Sequence, residues 1–301
     1  METTKLKVFY QEREITETSN LKSFSQLSLQ EKLKSNLENM GFDSMTPIQK
    51  EVLPYIMKGH DTIGCAQTGS GKTVSFLAPI VNKMLIDGPP ETDSQLPHGV
   101  SAPVALIIVP TRELAEQIYK EARKIIHKTG IVVVKVYGGI PIDTQYKHIV
   151  NGCDILVATP GRLIDFIKRD TIVLNSVKFL VFDEADRMLD MGFEDQLREI
   201  VFCSDIPTKE KRINMMFSAT FDKNVRDIAR MFMNDYYFVS KAYDQENTAN
   251  ENIKQELVYS EDNQKVLKLH ETLQKLKGSV LSNDIDSLIN FSLFRYQKGS
   301  R

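Results

Sequence analysis

The segment at residues 66–73, Ala-Gln-Thr-Gly-Ser-Gly-Lys-Thr, restricts the fold of this 301-residue chain more than any other stretch. It follows a short apolar run at residues 62–65 and precedes the largely apolar residues 74–85, so it is predicted to join a buried strand to a helix. A glycine-rich turn in that position presents backbone N–H groups at a helix N-terminus, where they bind phosphate oxygens. The segment therefore predicts a phosphate-binding loop.

The end of this loop supplies the polar groups that a bound polyphosphate needs. Lys72 would bridge the β- and γ-phosphates, and the Thr73 hydroxyl would bind Mg²⁺. Ala66 stands where the pattern usually has its first glycine, so a chance Gly-Lys-Thr sequence in a surface loop is the alternative. The residues predicted to bind nucleotide in this loop are Thr68, Gly69, Ser70, Gly71, Lys72 and Thr73.

Three carboxylates follow an apolar run and favour the phosphate-binding interpretation. Residues 177–182, apolar except for Lys178, have the character of a buried strand, and Asp-Glu-Ala-Asp comes next at residues 183–186. Ligands bind at the carboxyl ends of parallel strands, so these side chains are predicted to face the loop. Asp183 would hold Mg²⁺ through water, and Glu184 would orient and deprotonate the attacking water. Together with Lys72 they form the predicted catalytic set, and a solvated acidic patch is the alternative.

Apolar runs and helical patterns alternate through the middle of the chain. The predicted strands are residues 62–65, 104–109, 131–136, 155–158, 178–182 and 213–217. The predicted helices include residues 111–128, 144–150, 161–168 and 195–202. Strands separated by helices form parallel sheets with right-handed crossovers, and such sheets are buried on both faces. The chain is therefore predicted to be α/β, a doubly wound parallel sheet with helices on both faces, extending to about residue 240.

The residues before the phosphate-binding loop predict a flexible arm followed by helices. Residues 1–23 are polar and lack a sustained period, which predicts the arm. Thr46 is predicted to cap a helix that starts at Pro47, and Gln49 would project from the first turn of that helix. A glutamine amide both donates and accepts, which matches the N6 and N7 edge of adenine. An ordinary surface glutamine is the alternative.

Charge and cysteine content restrict the partners and the compartment. The formal net charge is −2, so any contact with nucleic acid has to be local rather than a bulk electrostatic attraction. The three cysteines, Cys65, Cys153 and Cys203, lie far apart, as expected of reduced thiols inside a cell. No apolar run approaches membrane-spanning length. These features predict a cytoplasmic protein, which can also be nuclear, with no membrane partner.

Several further strand ends carry residues that suit a phosphate backbone. Helix N-termini, a glycine pair and two arginines follow three predicted strands, and Ser-Ala-Thr at residues 218–220 follows a fourth. Such a row can grip successive phosphates without reading bases. For Thr111 and Thr159, simple helix capping is the alternative. The residues predicted to contact a nucleic-acid backbone are Pro110, Thr111, Arg112, Gly139, Thr159, Gly161 and Arg162.

In their order, these motifs resemble those of the first RecA-like domain of DEAD-box RNA helicases, over about residues 24–260. Phe24, the Gly-Phe pair at residues 41–42 and residues 46–49 resemble the adenine-reading Q motif, and residues 66–73 resemble motif I. Residues 110–114, 138–139, 159–163, 183–186 and 218–220 complete the set. Residues 190–193 and 252–255 resemble the Vasa-like branch of the family in particular.

The resemblance implies a P-loop NTPase that binds ATP, Mg²⁺ and RNA. Phe24 would stack on adenine while Gln49 binds the edge of the base, so ATP would be preferred to GTP. Asp186 would contact a partner domain, and Ser218 and Thr220 would couple the state of the nucleotide to the grip on RNA. The RNA would be held through its backbone, independently of sequence, by the row of residues given above.

The family that the chain resembles has a second RecA-like domain, which supplies an arginine finger and half of the RNA groove. Residues 24–245 are predicted to form the first domain, and residues 246–301 a linker and an incomplete start of the second, so the chain is expected to be truncated. One implied function is ATP-dependent RNA duplex remodelling, with weak activity for this chain alone. The alternative is a fragment that binds nucleotide and RNA without unwinding. An unrelated phosphate-loop enzyme, such as a small-molecule kinase, would leave Gln49 and the Ser-Ala-Thr segment unexplained.

Overall fold

A mixed sheet of nine strands organises the part of the chain that the computed structural model describes: residues 6–15, 20–67, 69–88, 96–240, 260–261, 264–265, 267–268 and 270–272. The chain divides into two compact units, Met1–Thr248 and Ala249–Arg301, and the sheet lies in the first. The strands are β1 (Lys7–Tyr10), β2 (Arg13–Ile15), β3 (Thr62–Cys65), β4 (Ala105–Ile108), β5 (Val133–Val136), β6 (Ile155–Ala158), β7 (Phe179–Asp183), β8 (Ile213–Ser218) and β9 (Tyr237–Ser240).

The strand order explains why the predicted phosphate-binding and acidic motifs meet. Across the sheet the order is β2-β1-β9-β3-β8-β7-β4-β6-β5, and neighbours from β9 to β5 are parallel. Cys65 at the end of β3 pairs with Ser218 at the end of β8, and Asp183 at the end of β7 pairs with Phe217. The phosphate-binding loop, the Ser-Ala-Thr segment and the acidic motif therefore leave three adjacent strands at one edge of the sheet.

Helices cover both faces of this sheet, as the sequence predicts. They are α1 (Glu31–Asn39), α2 (Pro47–Met57), α3 (Lys72–Asp87), α4 (Arg112–Ile125), α5 (Ile142–Ile149), α6 (Pro160–Ile167), α7 (Ala185–Asp190), α8 (Glu194–Cys203) and α9 (Lys223–Phe232). One core packs α1 to α4 against the sheet, and the other packs α5 to α9 against the opposite face. Within the described residues, no helix is both long enough and apolar enough to span a bilayer.

Successive residues of the central strands enter opposite cores. In β4, Ala105 and Ile107 belong to the core under α1 to α4, whereas Leu106 and Ile108 belong to the other. All four side chains are fully buried. Burial on both faces explains why these strands are continuously apolar in sequence rather than alternating between apolar and polar residues.

Residues 7–15 form a β-hairpin, where the sequence analysis predicted a flexible arm. β1 pairs in antiparallel fashion with both β2 and β9, and Val8 and Phe9 are buried. The prediction is wrong here because the strands have only four and three residues, too few to show a period. Their stability comes from pairing with β9, which lies far away along the chain, rather than from local propensity.

Candidate nucleotide-binding site and nucleic-acid interface

The predicted phosphate-binding loop connects β3 to α3. Gly69 and Gly71 adopt left-handed backbone conformations, with φ of +78° and +90°. A Cβ atom on Gly71 would lie 2.6 Å from Nε2 of Gln49, so a larger residue would displace that side chain. Thr73 is half-buried in the first turn of α3. Thr68 lies outside the described residues, so its predicted contact with nucleotide stays a prediction.

Lys72 and Ser70 have the surroundings expected of a polyphosphate site. Lys72 is only 7% exposed, and its Nζ donates a 2.7 Å hydrogen bond to the carbonyl oxygen of Ala66. The buried Oγ of Ser70 has no hydrogen-bond partner within the described part of the chain. Phosphate oxygens could accept from both groups, and buried donors without a partner are uncommon in native proteins. The loop therefore fits a polyphosphate.

Asp183, the last residue of β7, is the buried carboxylate of the site. It is 3% exposed, and burial raises its pKa to about 6, although the nearby charge of Lys72 opposes this rise. A divalent cation would favour the charged form of the carboxylate. Asp183 and the Thr73 hydroxyl offer oxygen atoms, the ligand type that Mg²⁺ prefers. The residues present therefore fit Mg²⁺.

Glu184 is held in an unusual backbone conformation at the start of α7. Its φ is +54°, in the left-handed region that residues with a Cβ seldom adopt. Its Oε2 accepts a 3.1 Å hydrogen bond from Nη1 of Arg187, so the carboxylate is oriented by a neighbour one turn along the helix. The sequence analysis missed Arg187, although its spacing of three residues from Glu184 is that of a helical ion pair.

Asp186 ties the acidic motif to the Ser-Ala-Thr segment. Its Oδ2 accepts hydrogen bonds from the backbone N of Ala219 at 3.1 Å and the backbone N of Thr220 at 3.0 Å, and from Oγ1 of Thr220 at 3.1 Å. Its own backbone N donates to Oγ of Ser218 at 3.3 Å. The structure thus brings Asp186, predicted to contact a partner domain, together with Ser218 and Thr220, predicted to couple nucleotide and RNA, within a single unit of the chain.

Cys65 adds a contact that the sequence analysis did not find. Its Sγ donates a 3.4 Å hydrogen bond to the carbonyl oxygen of Ala219, next to the bond from the backbone N of Ala66 to the carbonyl oxygen of Ser218. Burial raises the pKa of this thiol to about 11, so it stays protonated and able to donate. The loop and the Ser-Ala-Thr segment are therefore joined by two bonds at adjacent residues.

Gln49 and Phe24, predicted to bind adenine, are both buried. Gln49 is fully buried, and its Nε2 donates a 3.0 Å hydrogen bond to the carbonyl oxygen of Gly71. The alternative of a surface glutamine is therefore wrong, and the amide does not project into solvent as the helix position alone predicts. Phe24 is 3% exposed and packs edge-on against Phe42, with ring centroids 6.1 Å apart. Its ring offers no open face, so adenine stacking stays a prediction.

The predicted nucleic-acid row lies at the carboxyl ends of β4, β5 and β6. Oγ1 of Thr111 accepts a 3.3 Å hydrogen bond from the backbone N of Leu114, so this threonine is the cap of α4, as its alternative reading holds. Pro110 before it is buried, and Arg112 after it is exposed. Thr159 precedes α6 but makes no capping bond through its side chain. The capping explanation thus accounts for one threonine and not for the other.

The side chains of Arg162 and Arg112, the two arginines of the predicted row, differ in how firmly neighbouring residues hold them. Nη2 of Arg162 donates a 2.9 Å hydrogen bond to the carbonyl oxygen of Ile140, and its Nε lies 3.4 Å from the carboxylate of Asp165. Its side chain is only 12% exposed. Gly139 has a φ of +86° and Gly161 is exposed at the start of α6. Arg162 therefore holds the glycine-containing turn in place, whereas the exposed Arg112 faces solvent.

Together these features define the class of protein. A parallel sheet with a phosphate-binding loop after one strand and a buried carboxylate at the end of another is the arrangement of a P-loop nucleotide-binding domain. The sequence profile of the DEAD/DEAH box helicases matches residues 46–228, more than half of the chain. The chain therefore belongs to the DEAD/DEAH box helicase family.

Two solved structures are similar to this chain and support the RecA-like fold. The RNA helicase Prp28 from Chaetomium thermophilum, bound to ADP, is 32% identical with a TM-score of 0.66, and the match covers 92% of this chain and 62% of that one. The yeast DEAD-box splicing factor Prp28 is 33% identical with a TM-score of 0.70, covering 89% and 61%. The chain thus spans about three fifths of the length of these relatives. Placement in the Vasa-like branch stays a prediction, and residues 252–255 lie outside the described residues.

Proposed function

We propose that this chain is the ATP- and RNA-binding domain of an ATP-dependent RNA helicase of the DEAD-box type. The observation that carries the proposal is the continuous set of hydrogen bonds from the phosphate-binding loop through Ser218 to Asp186 and Thr220. It connects the predicted nucleotide site to a segment that follows a different strand. A structural change at the nucleotide phosphates can therefore be transmitted through these hydrogen bonds to residues at the ends of neighbouring strands.

In this proposal the chain's own residues bind and orient ATP. Lys72 exchanges its bond to the Ala66 carbonyl for bonds to phosphate oxygens, and Ser70 gains the acceptor that it lacks. Mg²⁺ held by Thr73 and Asp183 would neutralise charge on the phosphates. Glu184, oriented by Arg187, accepts the proton of the attacking water.

RNA is proposed to lie across the carboxyl ends of β4, β5 and β6. The N-termini of α4 and α6 and the exposed Arg112 would contact phosphates, which carry no base information. Arg162 contributes by fixing the backbone at Ile140, beside Gly139. Separation of duplexes would further require a second RecA-like domain that closes on the same RNA strand.

The proposal is tested by titrating the 301-residue chain with Mg-ADP, Mg-GDP and a short oligouridine. We expect ADP to bind more tightly than GDP, because a matched base edge is worth roughly 1–3 kcal/mol. Arg112→Ala should weaken RNA binding for every sequence alike and make it less sensitive to salt. Lys58→Ala, an exposed cation that follows α2, is the matched control and should bind RNA as the parent does. Equal affinity for ADP and GDP, or RNA binding that ignores Arg112, would contradict the proposal.

A further inference from the structure

Cations and tyrosine rings alternate along α4 and the edge strand β5. The Cζ atom of Arg112 lies 5.1 Å from the ring centre of Tyr137. Nζ of Lys135 lies 6.0 Å from that same ring centre and 4.3 Å from the ring centre of Tyr119. The Cζ atom of Arg123 lies 5.9 Å from the ring centre of Tyr119. We name these five residues the cation–tyrosine stripe.

The stripe begins at the predicted nucleic-acid row and leads away from it. Arg112 is the first residue of α4, and Tyr137 directly precedes the glycine pair that ends in Gly139. Arg123 lies eleven residues further along α4, which corresponds to about 16 Å at the rise of an α-helix. Lys135 is two residues before Tyr137, on the same side of β5. The stripe therefore starts at Arg112 in the predicted row and extends along α4, away from the carboxyl ends of the strands.

The carboxylate of Glu116, which contacts the stripe, already has its charge paired with a cation. Glu116 pairs with Nζ of Lys135 at 2.5 Å and accepts a hydrogen bond from the Tyr137 hydroxyl. The bonds to Lys135 and then to Tyr137 hold the pKa of Glu116 below its usual range. Within the described residues, no carboxylate forms an ion pair with Arg112 or Arg123. The stripe thus keeps two guanidinium groups whose charge no neighbouring carboxylate neutralises.

The tyrosine rings also limit the motion of these arginines. Tyr137 is 5% exposed and Tyr119 is half-buried, whereas Arg112 and Arg123 are exposed. A cation held over a ring keeps its N–H groups available and loses less conformational entropy when it binds an anion. Because the whole chain has a net charge of −2, attraction of an anion here depends on these two arginines and not on the charge of the surface as a whole.

We propose that the cation–tyrosine stripe is a second RNA-binding surface, which holds a single strand that extends beyond the predicted row. This inference rests on the proposed function, because Arg112 belongs to both surfaces and sets the point where the strand leaves the row. The rings are covered by cations, so the contact is made to phosphates and is independent of sequence. An RNA long enough to contact both the row and the stripe should therefore bind more tightly than a short RNA that contacts the row alone.

The test compares two oligouridines, of about 5 and about 14 nucleotides, by fluorescence anisotropy over a series of salt concentrations. The variant is Lys120→Gln with Arg123→Gln: Arg123 belongs to the stripe, and Lys120 is the exposed cation three residues before it on α4, where a strand held by Arg123 would also contact it. Glutamine is a good helix former. Lys120 lies one turn from Glu116 and its charge helps to lower the pKa of that carboxyl. We expect a several-fold loss of affinity for the long RNA only. The slope of log affinity against log salt should become shallower by about 0.7 for each lost phosphate contact, or about 1.4 for two.

Two control variants distinguish the loss of positive charge at the stripe from an equal loss of positive charge elsewhere on the protein. The first control is Lys58→Gln with Lys211→Gln, which removes the same amount of charge from two exposed positions. These lysines precede β3 and β8 and so lie at the amino ends of the strands, away from the predicted row. This control should bind both RNAs as the parent does. Arg123→Lys keeps the charge at the stripe and should retain affinity for the long RNA. Thermal melting checks that each variant keeps the stability of the parent.

The possible outcomes distinguish this inference from the proposed function. Unchanged binding of the long RNA by the stripe variant, with short-RNA binding that still depends on Arg112, overturns the stripe alone. Equal loss for both lengths also overturns it, because the residues would then act on the row itself. Failure of the parent to bind either RNA overturns both proposals. Loss of binding to polyglutamate with RNA binding intact would assign the stripe to an acidic protein and overturn its assignment to RNA.

Discussion

Nε2 of Gln49 donates a 3.0 Å hydrogen bond to the carbonyl oxygen of Gly71, so the first turn of α2 is tied to the phosphate-binding loop. Oε1 of the same amide accepts a 2.8 Å hydrogen bond from the backbone N of Thr46. A glutamine amide has two N–H groups and two lone pairs, so one of each remains for a ligand. Gln49 therefore holds the loop with half of its hydrogen-bonding groups, and because the whole side chain is buried, its contact with the edge of a base stays a prediction.

Replacing Gln49 by alanine should weaken the binding of every nucleotide and reduce the preference for adenine. The change removes one donor to the half-buried Gly71 carbonyl, which still accepts from Oγ of Ser75, and the acceptor for the half-buried N–H of Thr46, a loss of about 1 kcal/mol in stability for each bond. Calorimetric titrations with Mg-ADP and Mg-GDP, with a thermal melt of each protein, measure both effects. Unchanged ADP affinity would show that this bond does not order the loop.

Lys72→Ala and Glu184→Gln should separate binding from chemistry. Lys72→Ala removes a buried cation from the phosphates, so ADP affinity should fall by about tenfold or more, as expected for loss of a charge-assisted bond. Glu184→Gln keeps an acceptor for Arg187 but cannot take a proton, so binding should persist while turnover falls by about 10² to 10⁴. Titration and single-turnover ATP hydrolysis measure the two quantities. If Glu184→Gln weakened binding as strongly as Lys72→Ala, the assigned roles would be wrong.

The parallel part of the fold could be predicted because its signals are local. A strand buried on both faces is continuously apolar, and the predicted strands at residues 62–65 and 155–158 coincide with β3 and β6. The hairpin at residues 7–15 could not be predicted, because its two strands are short and depend on pairing with β9. The fold class can thus be predicted where each strand is recognisable from the apolar pattern of its own residues.

Motif identity and side-chain environment are predictable to different degrees. The sequence predicts that Asp183 and Asp186, after one strand, face the loop that carries Lys72 after another, and the structure places these two strands, β7 and β3, on either side of β8. It does not predict that Gln49 is fully buried, because burial depends on the approach of α2 to the loop. The partners Arg187 and Cys65 could not be predicted, since neither belongs to the glycine, carboxylate or Ser-Ala-Thr motifs.

Mg-ADP affinity should fall as the pH decreases through about 6, where Asp183 takes up a proton in the absence of metal. An acid with a raised pKa is neutral below that pKa, and a neutral carboxyl is a poor ligand for Mg²⁺. Asp183→Asn should bind Mg-ADP weakly and show only the pH dependence of the ADP phosphate itself, whose second pKa also lies at about 6. Metal-free ADP should likewise show no loss of affinity to the parent beyond this phosphate effect. A parent affinity that stays flat through pH 6 would contradict the assignment of Asp183 as a metal-binding residue.

Asp186→Asn should destabilise the fold and impair coupling, with little effect on Mg-ADP affinity. The substitution disturbs an oxygen that accepts three hydrogen bonds from Ala219 and Thr220, a loss of roughly 1–3 kcal/mol. Asp190→Asn makes the same chemical change at an exposed position of α7 and serves as the control. Thermal melting and the stimulation of ATP turnover by RNA measure the outcome. Equal melting temperatures for the two variants would show that these bonds contribute little.

The 301-residue polypeptide on its own is expected to hydrolyse ATP slowly and not to unwind RNA. An arginine finger supplies about 10³ to 10⁵ in rate where phosphoryl transfer uses one. The nucleotide site described here offers Lys72, Asp183 and Glu184, and its nearby Arg187 pairs with Glu184. Unwinding further needs two states with different affinity for RNA, and closure of a second RecA-like domain on the strand would supply the second state.

ATP turnover and separation of a short RNA duplex should be measured for this polypeptide alone and with a separately expressed second RecA-like domain of a family member. Rescue of turnover by the added domain, abolished by Glu184→Gln in this chain, would place the catalytic base here and the missing cation in the other domain. The matched addition of an unrelated domain of similar charge should have no effect. Robust unwinding by the polypeptide alone would refute the prediction, because it would mean that a single RecA-like unit can both grip and release the strand.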